Sequence, residues 1–156
     1  MCNEALHHNH VFDFFFSQIR NKNTDIAWRA SWVLEKVSET NPKLFTDYHN
    51  RQLLELTTTN QHDSLQRLCL SILFNLPLSL PISVNFVNRC FEQMTSPEET
   101  VGVQVLSMKM LARICEAEPA FTQEFLSSLE NTDDELFSKG FVAAKKHTIK
   151  KLRNRT

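Results

Sequence analysis

Apolar residues recur along most of the chain three or four positions apart, and each stretch opens on a helix-start signal. Phe12, Phe15, Phe16 and Ile19 share one face of a first helix, and Phe137, Phe141, Ala144, Thr148 and Leu152 one face of a last one. Between them, Asn41-Pro42 places a capping residue before a first-turn proline, and Asp63 precedes Ser64-Leu65-Gln66 with glutamine at the third helical position. Ser96-Pro97-Glu98-Glu99 and Thr132-Asp133-Asp134-Glu135 set a hydroxyl before a glutamate, the reciprocal cap that satisfies free backbone N–H groups. The spacing predicts helices near 4–21, 25–39, 42–57, 63–76, 81–94, 97–116, 119–130 and 133–153. No segment alternates apolar and polar residues long enough to be a strand, so the predicted class is all-α.

The helical pattern repeats. Ala30–Val37 aligns with Cys69–Leu76 at an offset of 39 and with Ser107–Ile114 at an offset of 77. Five columns result: Ile26/Leu65/Val103, Ala30/Cys69/Ser107, Val33/Ile72/Met110, Leu34/Leu73/Leu111 and Val37/Leu76/Ile114. On a helix they span roughly 100°, one stripe with a small residue at its centre that lets a neighbouring helix approach. Pro42, Pro81 and Pro119 keep the same offsets, so each second helix is expected to begin at an equivalent place. Looser columns, Tyr48/Val87/Phe125 and Gln52/Phe91/Leu129, run through those second helices. A two-helix unit of 38–39 residues in three copies is the signature of a helical solenoid.

In ASWVLEKVSETNPKLF, CLSILFNLPLSLPISV and SMKMLARICEAEPAFT the chain resembles the HEAT and armadillo class of α-solenoids, over residues 23–130. The resemblance implies a short right-handed α–α superhelix of about three helix pairs, with a concave ridge used mainly to bind proteins. On this reading residues 1–156 form one domain, with repeats at 24–60, 62–96 and 97–131 and terminal caps at 4–21 and 133–153. Arg51, Glu55, Arg89, Gln93 and Glu124 fall off the apolar stripes of the second helices and are expected on the surface.

Composition narrows the chemistry. Two Gly in 156 residues argue against a Gly-rich phosphate loop and a turn-rich β-sandwich. No run of about 18 apolar residues is present to span a membrane, and Met1–Phe16 lacks the layout of a secretory leader. Cys2, Cys69, Cys90 and Cys115 show no CxxC spacing, and the last three lie in apolar stretches. Free thiols in a cytoplasmic protein are expected. The formal charge is −1, but seven basic residues and no acid follow from Lys139 onward, which leaves residues 1–138 at −8.

Trp28 and Trp32 stand one turn apart, opposite the repeat stripe, with Arg29 beside them. Such a pair can grip a peptide or stack on a base; alternatively the Phe-rich first helix covers it. Lys139, Lys146, Lys150 and Arg153 share one side of the last helix. They offer a basic contact, but the acidic remainder repels nucleic acid, so pairing within the chain or with a protein comes first. His7, His8 and His10 crowd a fraying terminus that does not hold ligands in a fixed geometry, and no metal site is assigned. His62-Asp63-Ser64 cannot form a relay from adjacent side chains, so Asp63 is read as a helix cap.

No catalytic residue and no cofactor is therefore assigned. The leading function is a non-catalytic protein-interaction or scaffold module with a protein or peptide partner. The alternative, a nucleic-acid-binding relative of the alkylpurine DNA glycosylases in the resembling class, has Trp28, Trp32 and Asp25 or Glu35 but lacks an enrichment of Arg and Lys in the repeats. A lyase with a mobile Gly-Ser-Ser loop is rejected, since neither Gly102 nor Gly140 adjoins Ser127-Ser128.

Overall fold

The computed structural model describes residues 1–59 and 62–154; Asn60, Gln61, Arg155 and Thr156 lie outside the described residues. Helices α1 (Cys2–His7), α2 (Asn9–Gln18), α3 (Thr24–Thr40), α4 (Asp47–Thr59) and α5 (Asp63–Asn75) occupy the first half. Helices α6 (Val84–Thr95), α7 (Val101–Ala117), α8 (Thr122–Glu130) and α9 (Lys139–Arg153) follow. Among the described residues there is no strand. The chain divides into two compact units, Met1–Ser79 and Leu80–Thr156, and the boundary falls inside the 62–96 segment.

The stripe read from the sequence is the core. Fourteen of its fifteen positions are buried, including Leu34, Val37, Ile72, Leu76, Val103, Leu111 and Ile114 at 0% exposure. Each such aliphatic side chain removed from water contributes about 1.5–3 kcal/mol. The small central column is buried too (Ala30, Cys69, Ser107). In the first unit α3 packs against α5, α4 against α5, and α1 and α2 against α3. In the second, α7 packs against α9, α8 against α9, and α6 against α7. In both units a stripe-bearing helix is thus buried against its neighbours, α3 against α5 and α7 against α6 and α9.

Buried polar groups tie these contacts down. Asn75 Nδ2 donates to Ser38 Oγ at 3.0 Å, and Ser38 Oγ donates to the Glu35 carbonyl at 2.6 Å, joining α5 to α3. In the second unit Ser107 Oγ donates to Gln93 Oε1 at 3.2 Å and Gln104 Nε2 to the Ser96 carbonyl at 2.8 Å, joining α7 to the end of α6. Gln93, expected on the surface, is 2% exposed for this reason. Glu55 is exposed as expected and holds Arg20 Nη2 at 2.8 Å.

Several starts differ from the sequence reading, each for a local reason. Pro42 and Pro119 open one-turn 3₁₀ segments, Pro42–Leu44 and Pro119–Phe121, rather than α-helices. The residues before them, Asn41 and Glu118, are held out of the helical region (ψ 75° and 86°), as a following proline demands. Phe45 then turns extended and buries its ring, so α4 waits until Asp47. No such turn follows Pro81; α6 begins at Val84, with Ser83 accepting from the Phe86 N–H. Ser96 does not start α7 but closes α6, its N–H donating to the Glu92 carbonyl; Pro97–Glu99 form a turn, and Thr100 caps α7 through the Val103 N–H. Asp133 caps only the 3₁₀ turn Asp134–Leu136, while Ser138 accepts from Phe141 N–H at 3.2 Å and starts α9. Asp63 is the first residue of α5 and His62 its cap position, so Asp63 acts through its charge in the first turn. The first predicted helix breaks at His8, whose extended backbone (φ −129°, ψ 107°) lets α1 lie against both α2 and α3.

Candidate functional site

Helix α3 places the site. Asn23 Oδ1 accepts from the N–H groups of Asp25 and Ile26 and starts the helix. From there α3 turns its stripe inward and leaves Trp28 and Trp32, one turn apart, on another face. Both tryptophans are exposed, at 39% and 42%.

Helix α2 supplies the facing wall by dividing its phenylalanines. Phe12 and Phe16 go inward, where they meet Phe45 and His49: Phe12 to Phe45 at 5.0 Å and Phe16 to His49 at 4.3 Å between ring centroids, both edge-on. Phe14 and Phe15 instead reach the side where the tryptophans stand, their own rings 5.7 Å apart. The result is an open cleft of about 470 Å³ lined by Phe14, Phe15, Ile26, Trp28, Arg29 and Trp32, with Gln18 and Met1 at its edge. Ile26 is the one exposed member of the repeat stripe because it serves this cleft. The first helix therefore does meet the tryptophans, but beside them rather than over them.

Of the lining side chains only Arg29 carries a formal charge, and it makes no ion pair among the described residues. Arg20, by contrast, is tied to Glu55, and Lys36 to Glu39 at 3.0 Å. Asp25 stands exposed in the first turn of α3, and Glu35 is buried beside the Ser38 bond.

Sequence reasoning missed Phe14, Phe15 and Ile26 as lining residues and missed His49 altogether. His49 Nδ1 accepts the Thr46 N–H at 2.9 Å, so the imidazole caps α4 while its ring docks α2. Burial holds its pKa below the ordinary imidazole value of 6.5, against the pull of the Asp13 carboxylate. The signal was a histidine three residues after Thr46, the spacing at which a side chain reaches back to a cap N–H.

The basic face of α9 belongs to the second unit and is partly spent on its own acids. Arg153 Nη2 reaches Glu130 at 2.5 Å, Lys151 reaches Glu116 at 3.7 Å, and buried Lys145 donates to Asp134 Oδ1 at 2.6 Å and to the Thr132 carbonyl at 2.8 Å. That hydrogen bond, with the charges of Lys145 and Lys146, holds the Asp134 carboxyl below the usual carboxylate range. Lys139, Lys146 and Lys150 remain exposed.

Cys69 and Cys90 are buried thiols pushed up to about 12, and burial raises Cys115 as well, so these three are packing groups rather than nucleophiles. His8 and His10 lie 5.6 Å apart between ring centroids, and among the described residues no three His, Cys, Asp or Glu side chains converge as a metal would require.

Helices packed on one recurring buried stripe, with a cleft beside the first of them, define an α-helical repeat protein. The family model of the HEAT repeat domain matches residues 1–152, and the chain belongs to that family. No curated protein and no solved structure matches the chain. HEAT repeat domains are helical scaffolds often used for protein interaction. No helix among the described residues is long and apolar enough to cross a membrane.

Proposed function

We propose that this chain is a non-catalytic protein-interaction module whose contact surface is the α2–α3 cleft, with Trp28, Arg29 and Trp32 as its main contacts. One observation carries the reading: five of the ten exposed large apolar side chains among the described residues line this single cleft. Gathered apolar exposure on a folded protein marks a binding site, whereas scattered exposure does not. Tryptophan and arginine are also the side chains that dominate interface energetics.

The double variant Trp28→Ala/Trp32→Ala tests it. A fully buried tryptophan costs about 3–5 kcal/mol on truncation; at their observed exposure each should cost about 1 kcal/mol in urea unfolding. A partner captured by the wild-type chain, then purified and rebound, should lose its affinity for the variant. The proposal fails if the purified partner binds both proteins equally, or if each single variant loses core-like stability.

A further inference from the structure

The charge and shape of the cleft say what occupies it. Resting on the interaction reading above, we infer that the occupant is an amphipathic helix of a protein partner that carries a carboxylate beside its apolar anchors, and that Arg29 receives that carboxylate.

The apolar requirement follows from Phe14, Phe15, Ile26, Trp28 and Trp32, which leave little for a polar ligand to bond. The acidic requirement follows from Arg29. It is the one formally charged side chain in the lining, no carboxylate lines the cleft with it, and no ion pair within the described residues engages it. A basic segment laid here would meet uncompensated positive charge at an apolar wall, where water screens least. An acidic one gains a charge-assisted, two-pronged hydrogen bond that only a guanidinium offers.

The helical form follows from the walls. The described residues contain no strand, so there is no sheet edge for an extended peptide to join. The cleft runs along α3 from Ile26 to Val33, which at helical rise is about 10 Å, or two turns of a docked helix. Two turns present anchors at spacings of three, four and seven residues, the pattern of helix-in-groove recognition. A second copy of this chain is the weaker occupant, because two identical clefts brought face to face also bring two Arg29 side chains together.

The chain's only two tryptophans both line the cleft, so intrinsic fluorescence reads its occupancy directly. The probes are two tryptophan-free synthetic helices of about four turns, with the same leucine stripe, one flanked by glutamates and the other by lysines. The glutamate helix should bind wild-type protein at least tenfold more tightly than the lysine helix at low salt, and the gap should narrow as salt is added. Arg29→Glu should reverse the order, and Arg29→Gln should abolish the preference; Arg29 is exposed, and circular dichroism checks that the fold persists.

Equal binding of the two helices, or an order that Arg29→Glu leaves unchanged, overturns the acidic-helix inference. If that binding, followed by titration calorimetry because the variant has no tryptophan to report it, still disappears in the Trp28→Ala/Trp32→Ala variant, the cleft remains the contact surface and only the charge argument is lost. If the tryptophan variant binds both helices as the wild type does, the interaction reading itself fails. Sedimentation of the free protein should show a monomer; a dimer abolished by the tryptophan substitutions would overturn the inference in favour of self-occupancy. Binding of neither helix overturns it as well, while the partner experiment above still decides the interaction reading.

Discussion

The two units solve one packing problem and finish it differently. In each, a helix carrying the buried stripe packs against its neighbours, α3 against α5 in the first unit and α7 against α6 and α9 in the second. Leu34 and Leu111 sit at the same stripe position, both at 0% exposure. The difference lies in the surface left over. The first unit has α1 and α2 against α3 and ends with an aromatic cleft around Arg29, which makes no ion pair among the described residues. The second unit directs three of the six cations of its last helix onto its own acids, Lys145 to Asp134, Lys151 to Glu116 and Arg153 to Glu130. Shared packing therefore carries the fold, and the residues outside that packing carry the distinction between an open aromatic cleft and a surface joined by ion pairs.

The strongest way to break this comparison is at the matched core. Leu34→Ala and Leu111→Ala should each cost about 2–5 kcal/mol in chemical unfolding, since both empty a fully buried site. A cost under about 1 kcal/mol at either position would remove that unit from the shared scheme.

A smaller effect sharpens the first unit. His49→Ala removes the acceptor for the Thr46 N–H and should cost about 1 kcal/mol at pH 8, the usual worth of a cap. Because the folded state holds the His49 pKa below 6.5, the unfolded chain binds the proton more readily. The contribution is complete above 6.5 and is lost as pH falls through the depressed value. Wild-type stability should decline in mild acid and the variant's should decline less; parallel curves would show that His49 does not tie α2 to α4.

The smallest effect belongs to the second unit. Asp134 is depressed by the Lys145 hydrogen bond, so its contribution is complete above the usual carboxylate range and is lost as pH falls through its lowered value. Asp134→Asn should lower the melting temperature at neutral pH and flatten the acid limb of the stability curve. An unchanged acid limb would show that Lys145 is held by the Thr132 carbonyl alone.

Much of this was legible in the chain because its information is periodic. A residue at helical spacing declares its face without reference to anything distant, which is why the stripe columns and the small residue within them predicted the core. The start signals were less reliable. Pro42, Pro119, Ser96 and Asp133 all mark real chain reversals, yet the helices begin later, because proline restricts its predecessor and a nearby hydroxyl offers a better cap. Trp28, Arg29 and Trp32 were visible as a group on one face. Nothing local showed that Phe14 and Phe15 would join them, since neighbouring phenylalanines leave a helix in different directions.

The helical class, the buried stripe and the apolar role of Cys69, Cys90 and Cys115 could be read from the chain alone, since all follow from local spacing and hydrophobicity. It took the packed structure to show that Ile26 leaves the core, that Gln93 enters it, that His49 caps a helix, and that among the described residues Arg29 makes no ion pair while Arg153 does. Those outcomes depend on which surfaces meet, and burial and pairing are properties of a contact rather than of a residue.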